Sequence, residues 1–162
     1  MSPAEKIVVT GDSRFDQIAY RINNAPELPM FNTKSKYIIL GSIDNADLPI
    51  IKDAMANFKN DCKYIIVPHE VNQSYIKKIE LFLDDINITH MCLSQTSNVN
   101  IEDYDSIIID FVGILLDLYK YADIAYVGAG FSDGVHSVIE PLAQNSVVCY
   151  GPKIIFWMKR LK

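Results

Sequence analysis

A group of glycines, a histidine and an acid lies within residues 124–152, IAYVGAGFSDGVHSVIEPLAQNSVVCYGP. Gly128, Gly130 and Gly134 stand just before a helix that we predict to begin near His136. Glycine lets a backbone approach a ligand closely, and the first N–H groups of a helix have no partner inside it. A phosphate placed there would meet several donors and the positive end of a helix dipole.

Glu140 adds a second kind of chemistry to the same segment. In the predicted helix it lies four residues after His136 and therefore on roughly the same face. Its carboxylate can accept hydrogen bonds from the two hydroxyls of a ribose. Phosphate donors and a sugar-binding acid within one turn indicate a nucleotide site. The alternative is that the glycines form only a tight turn between a strand and a helix.

The segments that would position these residues alternate between short apolar runs and amphipathic stretches. We predict strands at 37–40, 64–67, 89–93, 106–109, 124–127 and 147–150. We expect the strands at 124–127 and 147–150 both to be buried. Residues 7–10 are predicted to form a short strand or a linking segment. We predict helices at 14–24, 48–58, 74–83, 112–121 and 154–161, and a surface loop at 94–105. Continuous apolar strands are typical of a parallel sheet with both faces buried. The alternation predicts a single α/β domain with a doubly wound, Rossmann-like sheet.

One edge of this sheet would collect the residues that can do chemistry. Gly41 and Ser42 follow the strand at 37–40, Pro68 and His69 follow that at 64–67, and the glycine turn follows that at 124–127. Open α/β sheets bind ligands outside the carboxyl ends of their strands. We therefore expect these residues to line one site.

Composition limits the class of protein. The chain has 162 residues, 49% of them hydrophobic, and a net charge of −5. This size suits one globular domain, and the acidity argues against a nucleic-acid partner. Cys62, Cys92 and Cys149 are widely spaced, so we predict no metal site and no disulfide framework, as expected in a reducing cytosol. The start of the sequence shows no apolar leader, and no cofactor is predicted.

Four segments, in order, resemble one enzyme family. They are VTGDSRFD at 9–16, YIILGS at 37–42, YIIVPHE at 64–70 and the long stretch at 107–152. Together they resemble the C-terminal, nucleotide-sugar-binding half of 3-deoxy-D-manno-octulosonic acid (Kdo) transferases, which are GT-B glycosyltransferases of lipopolysaccharide assembly. The long stretch resembles the family's Asp-x-x-Gly-x-Leu-x-x-Leu-Tyr, Gly-Gly-x-Phe, Gly-x-His-Asn-x-x-Glu-Pro and Gly-Pro elements.

The resemblance implies transfer of Kdo from CMP-Kdo to a hydroxyl of a lipid A precursor. Residues 1–162 would be the donor-nucleotide domain, with 1–24 as junction segment and helix and with the family's C-terminal end missing. The catalytic base and the acceptor surface would lie in an absent half, so we assign no catalytic residue and expect this chain alone to be inactive. The full-length enzyme would act at the cytoplasmic side of the inner membrane, and this chain alone would be soluble.

The resemblance also implies roles for individual residues. Gly41 and Ser42 would approach the phosphate or the Kdo carboxylate, Pro68 and His69 would lie near the cytidine or phosphate, and Glu140 would bind the ribose. The phosphate would be held by Gly128, Ala129 and Gly130 and by N–H groups from Gly134 through His136 to Ser137. Three departures stand out: Ala129 replaces a glycine, Ser137 replaces an asparagine, and Asp133 brings a negative charge.

Other functions remain open at this point. The domain could belong to a GT-B enzyme that uses a UDP-sugar, or it could be a non-catalytic nucleotide-binding or scaffold domain. The Pro-His and Gly-x-His-Ser-x-x-Glu-Pro elements favour CMP-Kdo. The segment IIFWMKRLK could be a truncated helix packed on the sheet or on the absent half, or could touch an anionic membrane surface.

Overall fold

The computed structural model describes residues 11–31, 34–58, 61–95 and 100–154. In these ranges one parallel sheet of six strands has the order β3-β4-β2-β1-β5-β6. The strands are β1 (Tyr37–Ile43), β2 (Lys63–Pro68), β3 (His90–Cys92), β4 (Ser106–Ile108), β5 (Ile124–Val127) and β6 (Val147–Tyr150). The helices are α1 (Ser13–Asn23), α2 (Leu48–Phe58), α3 (Gln73–Asp85), α4 (Leu115–Leu118) and α5 (Ile139–Ala143). This architecture confirms the predicted doubly wound α/β fold.

The central strands are buried on both faces, as their continuous apolar runs predicted. In β1, Leu40 belongs to the core under α2 and α3, whereas Ile39 belongs to the core on the opposite face. In the neighbouring strand β2, Ile66 belongs to the core under α2 and α3, and Ile65 belongs to the core on the opposite face. Since successive side chains of a strand point to opposite faces, an apolar run without alternation supplies both layers at once.

Helices α2 and α3 follow directly from local sequence signals. The Asn72 side chain accepts a hydrogen bond from the Tyr75 N–H at 2.9 Å and caps the start of α3. Tyr75, Ile79 and Leu83 then recur every four residues and are buried against the sheet. These two helices fix the ends of the loops that follow β1 and β2, where the predicted site residues lie.

The prediction that the strand at 147–150 is buried was wrong. It forms β6, which is an edge strand paired with β5 alone. Val147 is 63% exposed and Tyr150 is 46% exposed. The apolar run VVCY marks a strand, but its place in the sheet depends on chain topology and not on the run itself.

Three further predictions need correction. The helix predicted at 112–121 is only α4 followed by a 3-10 turn at Tyr119–Tyr121, because Gly113 has a φ of +108°, outside the helical region. The loop predicted at 94–105 includes two 3-10 turns, Leu93–Gln95 and Ile101–Asp103, and Ile101 is buried. The helix expected near His136 begins only at Ile139.

The late start of α5 has a clear physical reason. The Val135 N–H donates to the Lys153 carbonyl at 2.9 Å, and the His136 N–H donates to the Gly128 carbonyl at 3.4 Å. These long-range bonds hold residues 135 and 136 outside the helix. The helical spacing used to place His136 and Glu140 on one face therefore does not apply.

The remaining predicted elements agree with the structure to within a few residues at their ends. The segment at 7–10, and the predicted final helix from residue 155 onward, lie outside the described residues. Within the described ranges, no helix combines the length and the apolar character that crossing a bilayer requires.

Candidate functional site

The carboxyl ends of β1 and β5 form the point where the sheet changes direction. From β1 the chain proceeds outward to one side through β2 and later returns to β5 on the other side. Ligands of open α/β sheets bind in the crevice at such a switch point. Gly41 and Gly128 meet here, since the Gly128 N–H donates to the Gly41 carbonyl at 2.9 Å.

Two residues at this switch point have strained backbones. Ser42 has a φ of 53° and Ala129 a φ of 65°, which is the left-handed region. This conformation costs a non-glycine residue roughly 1–2 kcal/mol. Strain of this kind clusters at ligand sites. Both residues were predicted from the sequence to belong to the site, and Ala129 stands where the resembling family has glycine.

The glycines of the turn are required by packing between backbones. A Cβ on Gly130 would lie 2.6 Å from the Cα of Gly151, and a Cβ on Gly128 would overlap the backbone of Ser42 and Ile43. No L side chain fits at such distances. These glycines therefore hold the β5 loop against its neighbours, which is the simpler of the two roles considered from the sequence.

Asp47 joins the two loops at the switch point, and the sequence analysis missed it. Its side chain is fully buried, with 0% exposure. Its Oδ2 accepts hydrogen bonds from the N–H groups of Ala129 at 3.0 Å and Asp44 at 2.9 Å, and its Oδ1 accepts from the Tyr126 hydroxyl at 2.6 Å. The carboxylate therefore ties the loop after β1 to the loop after β5.

A local signal for Asp47 was present in the sequence. An aspartate directly before an apolar helical pattern is a preferred helix start, and the Asp47 carbonyl accepts from the N–H groups of Ile50 and Ile51 at 3.0 and 3.1 Å. That signal predicts a position at the start of α2. It does not predict that the side chain points inward to bind a loop 82 residues away.

His69 and His136, predicted separately from two different strands, lie together. Their rings stack with centroids 4.4 Å apart and an angle of 23° between planes. The His69 N–H donates to the Ile43 carbonyl at 2.9 Å, and Pro68 before it is the buried last residue of β2. The structure thus brings the Pro-His pair of β2 against the segment that follows the glycine turn.

A polar cavity of about 630 Å³ opens beside His69. Its lining residues are Ile43, Asp44, Asn45, His69, Glu70, Asn72, Ser74, Tyr75, Lys78 and Asp133. The carboxylates of Asp44 and Asp133 therefore face a space that could hold a ligand, together with the ammonium of Lys78. Burial opposes ionisation of Asp44, but a hydrogen bond from the Ser132 hydroxyl and bonds from backbone N–H groups hold its pKa below the ordinary value.

His136 is held in its neutral form by its surroundings. Burial lowers the pKa of His136, and the neighbouring His69 lowers it further, against the opposing charges of Asp44, Asp47 and Asp133. Its Nε2 is buried and has no hydrogen-bond partner among the described residues. The surroundings of this ring therefore favour the neutral form, which offers a lone pair and an N–H, over the positively charged form.

Glu140 lies apart from the histidine cavity, in the first turn of α5. Burial raises the pKa of its carboxyl group, and the charge of Arg21 opposes that rise only in part. No hydrogen bond or ion pair joins this carboxylate to a described residue. Its charge acts on the buried Tyr119, whose hydroxyl lies against Gly41. Glu140 is therefore close enough to Tyr119, beside the end of β1, to act on its hydroxyl, and it does not line the histidine cavity.

The free backbone donors lie further along the chain than predicted. The N–H groups of Gly134 and His136 donate to the carbonyls of Ala129 and Gly128, and that of Ala129 donates to Asp47. Within the described residues, the N–H groups of Ser137, Val138, Ile139 and Glu140 have no acceptor. Of the predicted phosphate donors, Ser137 and Gly130 are thus the ones whose N–H groups have no acceptor there. Their contact with a ligand stays a prediction.

We predict that Asp47→Ala destabilises the fold severely. The change leaves the N–H groups of Ala129 and Asp44 and the Tyr126 hydroxyl without an acceptor, and each buried unsatisfied group costs about 1–3 kcal/mol. We expect a loss of at least about 3 kcal/mol in the free energy of unfolding, measured by urea denaturation. Asp53→Ala, at an exposed position of the same helix, should change it by less than about 0.5 kcal/mol. Equal effects of the two substitutions would contradict the role given to Asp47.

We predict that His136 makes the fold less stable as the pH falls below 6.5. Because its folded-state pKa is lowered from 6.5, the unfolded chain takes up a proton that the folded chain does not. The stability contribution is therefore complete above pH 6.5 and is lost as the pH falls toward the lowered pKa. We measure the free energy of unfolding of the wild-type chain and of His136→Asn at pH 7.5 and 5.5. The wild-type chain should lose more stability than the variant as the pH falls from 7.5 to 5.5. A difference independent of pH would show that burial of this ring has no such effect.

Comparison with known proteins covers most of this chain. No protein-family model matches it. It is 30% identical over 156 residues to a 3-deoxy-D-manno-octulosonic acid transferase of Chlamydophila psittaci, covering 93% of this chain and 35% of that relative. It is 30% identical over 159 residues to the transferase of Chlamydia muridarum, covering 94% of this chain and 36% of that relative. The chain thus spans about a third of the length of these curated relatives.

A solved structure has the same fold. The crystal structure of the C-terminal CMP-Kdo binding domain of WaaA from Acinetobacter baumannii matches with a TM-score of 0.66 and 18% identity, covering 86% of this chain and 70% of that one. These findings confirm the resemblance inferred from the motifs. Over most of its length the chain is homologous to Kdo transferases, and it has the fold of the C-terminal CMP-Kdo binding domain of WaaA.

Proposed function

We propose that this chain is the donor-binding domain of a Kdo transferase and that it binds CMP-Kdo. The observation that carries the proposal is the 30% identity to a named Kdo transferase over 93% of this chain. The site supports it, because predicted site residues from three strand ends meet at the switch point of the sheet. The whole protein would transfer Kdo to a hydroxyl of a lipid A precursor at the cytoplasmic side of the inner membrane.

The geometry suggests how each part of CMP would be held. The stacked rings of His69 and His136 offer a flat surface and ring nitrogens to the cytosine or the phosphate. The free N–H groups from Ser137 to Glu140 would face the phosphate, and the Glu140 carboxylate would accept the ribose hydroxyls. Fixed donors of this kind oppose the negative charge that develops on CMP as it leaves. The protein would therefore stabilise the leaving group.

The acceptor side of the reaction is assigned to no residue of this chain. The chain spans about a third of its relatives, and we propose that it does not transfer Kdo by itself. The lipid A precursor would be contacted by the rest of the whole protein.

The acidity of the cavity favours a second candidate, a scaffold domain that has lost nucleotide binding. Asp44 and Asp133 face the space beside His69, where they would repel a phosphate. Ala129 also favours the scaffold candidate. Its backbone has a left-handed conformation that glycine adopts without strain but alanine does not. A UDP-sugar would use the same donors and is the third candidate.

Nucleotide binding decides among these candidates. We expect CMP at about 100 times its dissociation constant to stabilise the chain by about 2.7 kcal/mol, measured as a thermal shift, and UDP at the same concentration to stabilise it less. Cytidine, which lacks the phosphate, is the control for the N–H donors. A larger shift with UDP would support a UDP-sugar enzyme. No shift with any of these ligands would support the scaffold.

We predict that Glu140→Gln weakens CMP binding while making the free chain more stable. A half-buried carboxylate with no described partner costs stability, and a neutral amide of the same shape removes that cost, about 0.5–2 kcal/mol for relief of this kind. Calorimetry with CMP should show at least a tenfold rise in the dissociation constant, while urea denaturation shows equal or higher stability. Asp53→Asn, on the exposed side of α2, should change neither quantity. An unchanged dissociation constant for CMP would remove Glu140 from the site.

A further inference from the structure

Arg21 connects the last turn of α1 to the carboxyl edge of the sheet. Its Nη2 donates to the Gly113 carbonyl, in the loop after β4, at 3.2 Å and to the Asp117 carboxylate of α4 at 3.4 Å. No residue of α1 is buried, so apolar packing holds this helix only modestly. The guanidinium adds a polar anchor to two positions that lie 92 and 96 residues away in sequence.

This anchor lies in a cluster formed by α1, α4 and α5. Helix α1 packs on α5, and α5 packs on the 3-10 turn that follows α4. The Gln144 side chain, which follows α5, donates a hydrogen bond to the Leu116 carbonyl of α4. The helix that carries Glu140 is thus joined both to the helix that carries Arg21 and to the helix on which Arg21 is anchored.

In this cluster Arg21 supplies the positive charge that acts on Glu140. Burial raises the pKa of the Glu140 carboxyl group, and the charge of Arg21 opposes that rise. The 3-10 turn packed on α5 contributes the Tyr119 hydroxyl, whose own pKa is raised by burial, and β6 contributes no charged side chain. The acidic side chain of Asp117, on α4, pairs with the same guanidinium. Within the described part of the chain, Glu140 therefore depends on Arg21 for a favourable charge.

The contacts of Arg21 differ from those of an arginine that serves Asp117 alone. Arginine often binds a carboxylate through two parallel N–H groups. Here Nη2 is shared between a carbonyl and one oxygen of Asp117, and Nε and Nη1 have no acceptor among the described residues. The Arg21 side chain is 45% exposed, whereas that of Asp117 is only 10% exposed. The guanidinium thus keeps donors and charge that its partner on α4 does not use.

We propose that Arg21 is a positioning residue of the donor site: its charge keeps the half-buried Glu140 carboxylate ionised, the form that accepts both ribose hydroxyls. The inference rests on the proposed binding of the ribose by Glu140, and it gives Arg21 no contact with the nucleotide. Protonation of Glu140 would turn one of its acceptor oxygens into a donor. Helix α1, which the resemblance assigned to the junction of the domain, thereby contributes to the binding site.

The charge of Glu140 can be followed directly in the nucleotide-free chain. With isotope-labelled glutamate, the NMR signal of the Glu140 carboxyl group is assigned from its absence in Glu140→Gln and is titrated with pH. Arg21→Gln should move the midpoint to higher pH, because nothing then opposes the effect of burial. Arg21→Lys, which keeps the charge, should return the midpoint toward that of the wild-type chain. Arg14→Gln removes a positive charge about two turns earlier in the same helix and should leave the midpoint unchanged.

The expected effect on nucleotide binding is a change in its pH dependence. Calorimetry with CMP between pH 7.5 and 5.5 should show the affinity of Arg21→Gln falling more steeply than that of the wild-type chain, by at least about threefold. Ionisation of CMP itself is common to both proteins and cancels in this comparison. Arg21→Lys should restore the wild-type profile. A purely structural role would instead lower the affinity by the same factor at every pH.

Loss of Arg21 also leaves the Asp117 carboxylate without its partner, which destabilises the fold. Where Arg21→Gln does not fold, the double variant Arg21→Gln/Asp117→Asn, compared with Asp117→Asn, carries both measurements. An unchanged Glu140 midpoint, or CMP affinities that change in parallel with pH, would overturn the proposal. Failure of the proposed function gives a different result: the wild-type chain then binds no CMP at any pH, and the Glu140 titration alone decides the role of Arg21.

Discussion

The buried carboxylate of Asp47 is the interaction on which the candidate site depends. It connects the loops after β1 and β5 through three hydrogen bonds, to two backbone N–H groups and the Tyr126 hydroxyl. Carboxylates are stable in a protein interior only when donors replace the lost water. Those donors fix the left-handed conformation of Ala129 and the approach of Gly128 to Ser42. The same bonds consume the Ala129 N–H, which the sequence analysis had assigned to a phosphate, whereas the N–H groups at the start of α5 have no acceptor among the described residues.

If the site binds an anion as proposed, the charges around it favour backbone donors over side chains. Burial and His69 lower the pKa of His136 and so favour its neutral form, and the carboxylates of Asp44, Asp47 and Asp133 are all close enough to oppose that shift. Side-chain charge in this half of the site therefore opposes a phosphate. Neutral N–H groups carry partial positive charge, and those from Ser137 to Glu140 have no acceptor among the described residues. A nucleotide bound as proposed would therefore be better accommodated with its phosphate toward α5 than toward the acidic cavity.

Much of the fold could be predicted from the sequence, because the buried strands are continuous apolar runs and α2 and α3 carry local helix signals. The exposure of β6 could not be predicted, because the order of strands in the sheet is set by the topology of the whole chain. The start of α5 could not be predicted either, since the N–H groups of Val135 and His136 donate hydrogen bonds to the carbonyls of Lys153 and Gly128. The sequence analysis placed His69 after one strand and His136 at a predicted helix start after the glycine turn, both in one site, but it did not predict that their rings stack. Asp47 escaped notice because its partner loop is distant in sequence.

The glycine turn and Glu140 differ in how strongly they support a binding function. Gly128 and Gly130 are explained completely by contacts between backbones, so a domain that binds nothing would need them as well. Glu140 has no such explanation: its carboxylate is half-buried, its pKa is raised by burial, and no described residue bonds to it. A group that costs stability and contributes no structural contact is typical of a binding site. The functional reading of this edge of the sheet therefore rests more on one acid in α5 than on the glycine pattern that first draws attention to it.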